Sequence, residues 1–231
     1  MSDPARILVV QAASPRIAGA PDVAAEYRDI QRSIDAAPYR QAVSHSILAA
    51  VQLNDLTTQL IREVPAVLHI SARGTPGGGL RLLTEDGGDA PVRDSGLAKL
   101  LCDFVEDGLQ VVVLNACWTW ELAEMLAAAV PCVIGTGGPI DDRECRAYSR
   151  TLYSSLAHGR SVGQSHRIAV HEADASGADP DCLPALLNRS DVIPDAVHLI
   201  APEFRVPPVR TPVKPQGGTR GWLRMGKKPR L

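Results

Sequence analysis

The chain has 231 residues, 45% hydrophobic and 22% charged, with a formal net charge of -2. That is enough apolar material for one sizeable core, and with aromatics at 4% Ala, Val, Leu and Ile must fill it. No apolar run has the length of a bilayer span, and Met1-Ser2-Asp3-Pro4 lacks the basic-then-apolar pattern of a signal peptide, so a cytoplasmic location without a transmembrane segment is expected.

Strand and helix signals alternate along the body. Arg6 to Ala12 is a short apolar strand closed by Ser14-Pro15. Asp22 is placed to cap a helix to about Ala36, with Val23, Tyr27, Ile30 and Ile34 on one face. Alternating Val43, His45 and Ile47 predict a strand, and Asn54 a cap for a helix carrying Leu56, Leu60 and Ile61. A strand follows over Ala66 to Ser71, then a glycine-rich loop, Ala72-Arg73-Gly74-Thr75-Pro76-Gly77-Gly78-Gly79. Leu80 to Thr84 and Ala90 to Val92, around Glu85-Asp86-Gly87-Gly88-Asp89, read as an inserted hairpin.

Further on, Asp94 to Glu106 reads as a helix, Leu109 to Leu114 as a strand, Thr119 to Ala129 as a helix and Val130 to Gly135 as a strand. Helices over about 141–157 and 162–173, a loop over 173–184 and a last strand over Ala196 to Ile200 complete the body. Such alternation suits a mostly parallel sheet covered by helices.

The tail from Pro202 differs in kind. Its eight basic residues face one acid, Glu203, a balance of +7 that leaves -9 on residues 1–201. Pro202, Pro207, Pro208, Pro212, Pro215 and Pro229 exclude a helix or central strand, so a domain over 1–201 followed by an extended or disordered segment over 202–231 is expected. Its basic end, with Trp222, Leu223 and Met225, is also suited to an acidic partner, nucleic acid or an anionic membrane.

Cys102, Cys117, Cys132, Cys145 and Cys182 form an odd set without a C-x-x-C pair, which speaks against a disulfide framework and a zinc site. Cys102 and Cys132 sit in apolar runs and read as small core residues. Cys117 ends the run Val111-Val-Val-Leu-Asn-Ala-Cys117, beyond the C-terminal end of a strand, where open α/β sheets place their chemistry. The helix beginning near Thr119 would point its first amides at the sulfur and favour a thiolate. A peptidase thiol also needs a proton acceptor, and the loop after Ser71 offers Arg73, which cannot accept a proton at neutral pH.

Leu68-His69-Ile70-Ser71-Ala72-Arg73-Gly74, the glycines 77–79 with Leu80, and Leu114-Asn115-Ala116-Cys117 together resemble the CHAT domains, caspase-like members of the clan that includes caspases, separase and gingipains. The likeness runs in order over about residues 6–172, through Val133-Ile134-Gly135, Ile140-Asp141-Asp142 and the segment Tyr148 to Gly159. It implies a caspase-like three-layer α/β/α sandwich with a mostly parallel central sheet and a small β-hairpin insertion. Cys117 then takes the nucleophile's place, with the backbone amides of Cys117 and Gly74 as the oxyanion hole. His69 matches the first histidine of the family's His-x-Ser-x-His-Gly loop, and the second, the general base, is Arg73 here.

The resemblance therefore implies a cysteine peptidase homologue acting on peptide or protein substrates, with proteolysis weak or lost. The alternative is a non-catalytic pseudoprotease that binds a regulatory protein partner. His69, inside a strand, reads as a core histidine and a weak stand-in base; His45, His158, His166, His171 and His198 have no sequence reason to lie beside Cys117. Asp141 and Asp142 fall where relatives build the pocket for the residue before the scissile bond, and an acidic pair there would take a basic side chain; helix caps are the plainer role. No cofactor and no metal is expected. Gly74 to Gly79 could cradle an anion, yet lacks the Gly-Lys-Ser/Thr ending of a P-loop, and no Gly-x-Gly-x-x-Gly follows the first strand as a nucleotide or flavin domain would require.

Overall fold

The computed structural model describes residues 3–13, 17, 20–77 and 79–202. Its sheet contains β1 (Ala5–Ala12), β2 (Val43–Ala49), β3 (Val67–Thr75), β6 (Val111–Asn115), β7 (Cys132–Gly135) and β8 (Ala185–Asn188), in the order β2-β1-β3-β6-β7-β8. All neighbours run parallel except β8, which pairs antiparallel with β7. Between β3 and β6 the short strands β4 (Gly79–Leu83) and β5 (Asp89–Pro91) form the inserted hairpin, with β4 antiparallel to the end of β3.

Helices cover both faces, so the central strands are apolar on both sides rather than alternating. Leu8, Val10, Leu68, Ile70, Val112 and Leu114 pack against α2 (Leu53–Arg62), α3 (Asp94–Cys102) and α4 (Trp120–Ala127). Ile7, Val9, Val67, Val111 and Val113 face the other way, onto α1 (Val23–Asp35), α5 (Asp142–Ala157) and α6 (Val162–Ala175). This is the expected α/β/α sandwich, each fully buried Leu or Ile contributing roughly 1.5–3 kcal/mol. No helix among the described residues is long and apolar enough to cross a membrane.

Several expectations are corrected. Ala196 to Ile200 is no strand: it follows a 3-10 turn at Pro194–Ala196, and Leu199 and Ile200 enter the core from irregular backbone. The closing strand is instead Ala185–Asn188, hidden from a reading of the sequence by its four-residue length after a proline-rich loop. The second helix is capped by Gln52, not Asn54, with Asp55 reaching back to accept the Gln52 N–H at 3.0 Å, and Ile61 is 71% exposed. The helix from Asp94 stops at Cys102, because residues 103–108 tighten into turns that end on Gly108 at φ +118°. The basic tail, from residue 203, lies outside the described residues.

Between α5 and α6, Tyr148 Oη pairs with His166 Nδ1 at 2.7 Å. Burial, then the charges of Arg167 and His171, hold His166 down at about 4 from an ordinary 6.5. An unfolded chain takes up this proton below 6.5 while the folded one refuses it until about 4, so stability present above 6.5 is lost as the pH falls through that window. The difference is worth roughly 3 kcal/mol. The urea midpoint is expected to drop between pH 7 and 4.5, and to drop less in His166→Gln, which accepts from Tyr148 without titrating. An equal drop in both proteins would refute this assignment.

Candidate active site

β3 outlasts its parallel neighbours. Ser71 still registers with Asn115 of β6, but Arg73, Gly74 and Thr75 leave the main sheet to pair with Arg81, Leu80 and Gly79 of β4. The expected glycine loop is thus strand as far as Thr75. β6 ends at Asn115, and the chain turns through Ala116, Cys117 and Trp118, whose φ of 57° is a left-handed conformation unusual for a side chain of that size. Two threonines secure the turn: Thr119 N–H donates to Thr136 O at 2.9 Å, Thr136 N–H to Thr119 Oγ1 at 3.0 Å, and Thr136 Oγ1 to Ala116 O at 2.6 Å.

The ends of β3 and β6 meet at Gly74. A Cβ added there would stand 1.7 Å from the Cys117 carbonyl oxygen and 2.7 Å from its carbon, so only glycine fits. Cys117 is half-buried in a cavity of about 360 Å³ with Arg73, Gly74, Asn115, Ile140, Asp142 and Cys145 on its walls. Its Sγ accepts the Ile140 N–H at 3.5 Å and lies 3.8 Å from Ile140 O. The amide at the sulfur therefore comes from the segment before α5, where the start of α4 was expected; the left-handed Trp118 intervenes before α4 begins at Trp120.

Arg73 reaches this rim, yet its guanidinium is engaged elsewhere. Its Nε and Nη2 both donate to Asp89 of β5 at 3.1 Å, while Arg81 Nε donates to the same carboxylate at 2.6 Å and its Nη2 to Asp89 O at 2.9 Å. Burial pushes the Asp89 carboxyl up, and the hydrogen bonds and charges of the two arginines overcome it and hold the group below the usual aspartate range. The pair ties the hairpin to the end of β3, with two guanidiniums sharing one carboxylate.

His69 lies apart from that cavity. It is 0% exposed on the opposite side of the Ser71 rung, with Nδ1 3.0 Å from Tyr153 Oη and Nε2 3.1 Å from Glu26 Oε1. Among the described residues no imidazole lines the Cys117 cavity. His45 pairs with Tyr27, His158 with Ser154 O and His198 with Gly159 O. The acidic pair is divided: Asp142 lines the cavity, accepts the Asp22 N–H at 3.2 Å and is raised chiefly by burial, whereas Asp141 caps α5 through Arg143 N–H at 2.8 Å and lines a separate groove of about 450 Å³.

A reading of the residues passed over Glu26. Its carboxylate, 4% exposed, accepts from Ser71 Oγ at 2.6 Å, Ser149 Oγ at 2.8 Å, Asn115 Nδ2 and His69 Nε2. Burial pushes it up most, but the His69 charge and the hydrogen bonds from His69, Ser71 and Ser149 bring it below the usual glutamate range. The signal was present: Glu26, Ile30 and Ile34 recur every four residues, which puts an acid on the apolar stripe of α1. Cys145, buried at the same cavity, has a thiol pushed up by burial and then by the charges of Glu26 and Cys117.

The fold has solved relatives. A secreted C11 cysteine protease from Bacteroides thetaiotaomicron, in complex with an irreversible peptide inhibitor, superposes with a TM-score of 0.51 at 11% identity, covering 80% of this chain. The chain spans 66% of that protease's length. The Drosophila initiator caspase Dronc superposes at 0.50 with 9% identity, over 80% of this chain and 79% of its own. No curated protein matches in sequence. The CHAT domain family model matches residues 2–196, nearly the whole described body, and the chain belongs to that caspase-like family.

Proposed function

We propose that this chain is a caspase-like cysteine peptidase homologue in which Cys117 is the nucleophile and Arg73, at the position of the general base, leaves turnover weak. The observation that carries the reading is the seating of Gly74 on the Cys117 backbone, at the C-terminal ends of neighbouring strands and open to one cavity. In this reading the sulfur attacks a peptide carbonyl, the amides of Gly74 and Cys117 hold the developing oxyanion, and solvent removes the thiol proton. Asp142, on the cavity wall, receives a basic side chain of the substrate, while Asp141 serves α5 as its cap. Without a positioned base the rate is lower by typically ~10²–10⁴-fold.

A second reading, a pseudoprotease that binds a regulatory protein partner without turnover, is favoured by one observation: Arg73 is held by Asp89, and no imidazole among the described residues reaches the cavity. One comparison separates them. Slow cleavage of a peptide library by the wild-type chain, abolished in Cys117→Ala, is expected; the same residual cleavage in both proteins would reject the peptidase, and no cleavage in either would leave the binding module standing.

A further inference from the structure

Ser71 and Asn115 face each other across β3 and β6 as the last registered rung of the main sheet on the way to the site. Beyond it the ladder ends, and the two strands run on three residues to Gly74 and two to Cys117, whose backbones meet. Both side chains of that rung donate to one carboxylate: Ser71 to Glu26 Oε2, Asn115 to Glu26 Oε1. Glu26 arrives from α1, outside the sheet, and bridges the rung from below. His69 and Ser149 also donate to Oε1, so three donors hold that oxygen while Ser71 holds Oε2.

We propose that Glu26 is a positioning residue that fixes the spacing of the ends of β3 and β6, and with it the separation of the Gly74 and Cys117 amides. The inference rests on the reading of those amides as an oxyanion hole. A carboxylate suits this role because both oxygens accept, and charge-assisted hydrogen bonds are roughly twice as strong as neutral ones. An amide at the same place has one accepting oxygen. It turns an N–H towards Ser71 or towards the three donors opposite, and one side of the rung loses its hold. Oxyanion donors are sensitive to such slack, since a displacement of about 1 Å can cost about 10²-fold.

The test separates the thiol from its oxyanion hole. Iodoacetamide alkylates Cys117 without using the hole. A peptide aldehyde does use it: the thiol adds across the carbonyl, a C–S bond forms as the C=O π bond opens, and the thiol proton ends on the hemithioacetal oxygen that sits in the hole. Full-length wild type, Glu26→Gln, Ser71→Ala and Ser149→Ala are compared for iodoacetamide rate, and for the affinity of acetyl-tripeptide aldehydes ending in lysinal, leucinal or aspartal, read as protection of Cys117.

Glu26→Gln and Ser71→Ala are expected to weaken the best aldehyde roughly 10–100-fold with an unaltered iodoacetamide rate. Ser149→Ala removes a hydrogen bond from the same carboxylate at α5 and is expected to lower the melting temperature alone. Should Glu26→Gln not fold, Ser71→Ala carries the same comparison. Equal aldehyde affinity in wild type and variants, or an equal loss in Ser149→Ala, overturns the positioning role. A wild-type chain that iodoacetamide alkylates but no aldehyde protects removes the oxyanion hole itself, and this inference with it.

Discussion

Arg73→His is expected to raise peptide cleavage about 10²-fold or more over the wild-type chain, the contribution of a positioned proton acceptor. Position 73 lies on the rim of the Cys117 cavity, and the backbone there is set by pairing with Arg81 and by the seating of Gly74, neither of which depends on the Arg73 side chain. An imidazole is shorter than an arginine and cannot follow the same path to Asp89, so it stays nearer the thiol. Asp89 keeps Arg81 as its partner, which limits the cost of the exchange. The measurement is kcat/KM on a peptide library for Arg73→His, with Arg73→His/Cys117→Ala as the background. A thiol that still reacts with iodoacetamide but shows no gain in cleavage would end the reading of position 73 as the place of the general base.

Gly74→Ala is the second large effect expected, and it acts on fold and site together. The added methyl meets the carbonyl of Cys117, and backbone cannot rotate aside as a flexible side chain would. Either β3 or the turn at Cys117 must shift, and overpacking of this sort costs typically about 1–3 kcal/mol. For a chain of this size that lowers the melting temperature by several degrees, at roughly 2–4 °C per kcal/mol. Any cleavage or aldehyde binding at Cys117 should vanish in the same variant, even at temperatures where circular dichroism shows it folded. A variant with native melting and native reactivity would mean that the two strand ends do not meet there.

The parallel strands were legible because both faces are buried: runs such as Ile7 to Val10 and Val111 to Leu114 need no alternation to be recognised. Asp22 and Thr119 stood where helices begin: Asp22 caps α1 through the Ala25 N–H, and α4 starts directly after Thr119. What escaped was set by distant pairing. β8 exists because β7 offers it an antiparallel edge, and four residues carry too little pattern to announce that. The strand character of Arg73 to Thr75 likewise comes from β4, not from Gly or Pro content, which reads as loop. Cys117, Arg73 and Gly74 were found through two motifs, whereas the tie of Arg73 to Asp89 needed the hairpin to be folded back. Asp141 and Asp142 look equivalent in sequence; the start of α5 sends one to the cavity and keeps the other as a cap.

The peptide group of Ile140 fixes where the sulfur sits: Cys117 Sγ accepts its N–H at 3.5 Å and lies 3.8 Å from its carbonyl oxygen. The short linker between β7 and α5 therefore aims this side chain, and a shift of that linker would carry the sulfur with it.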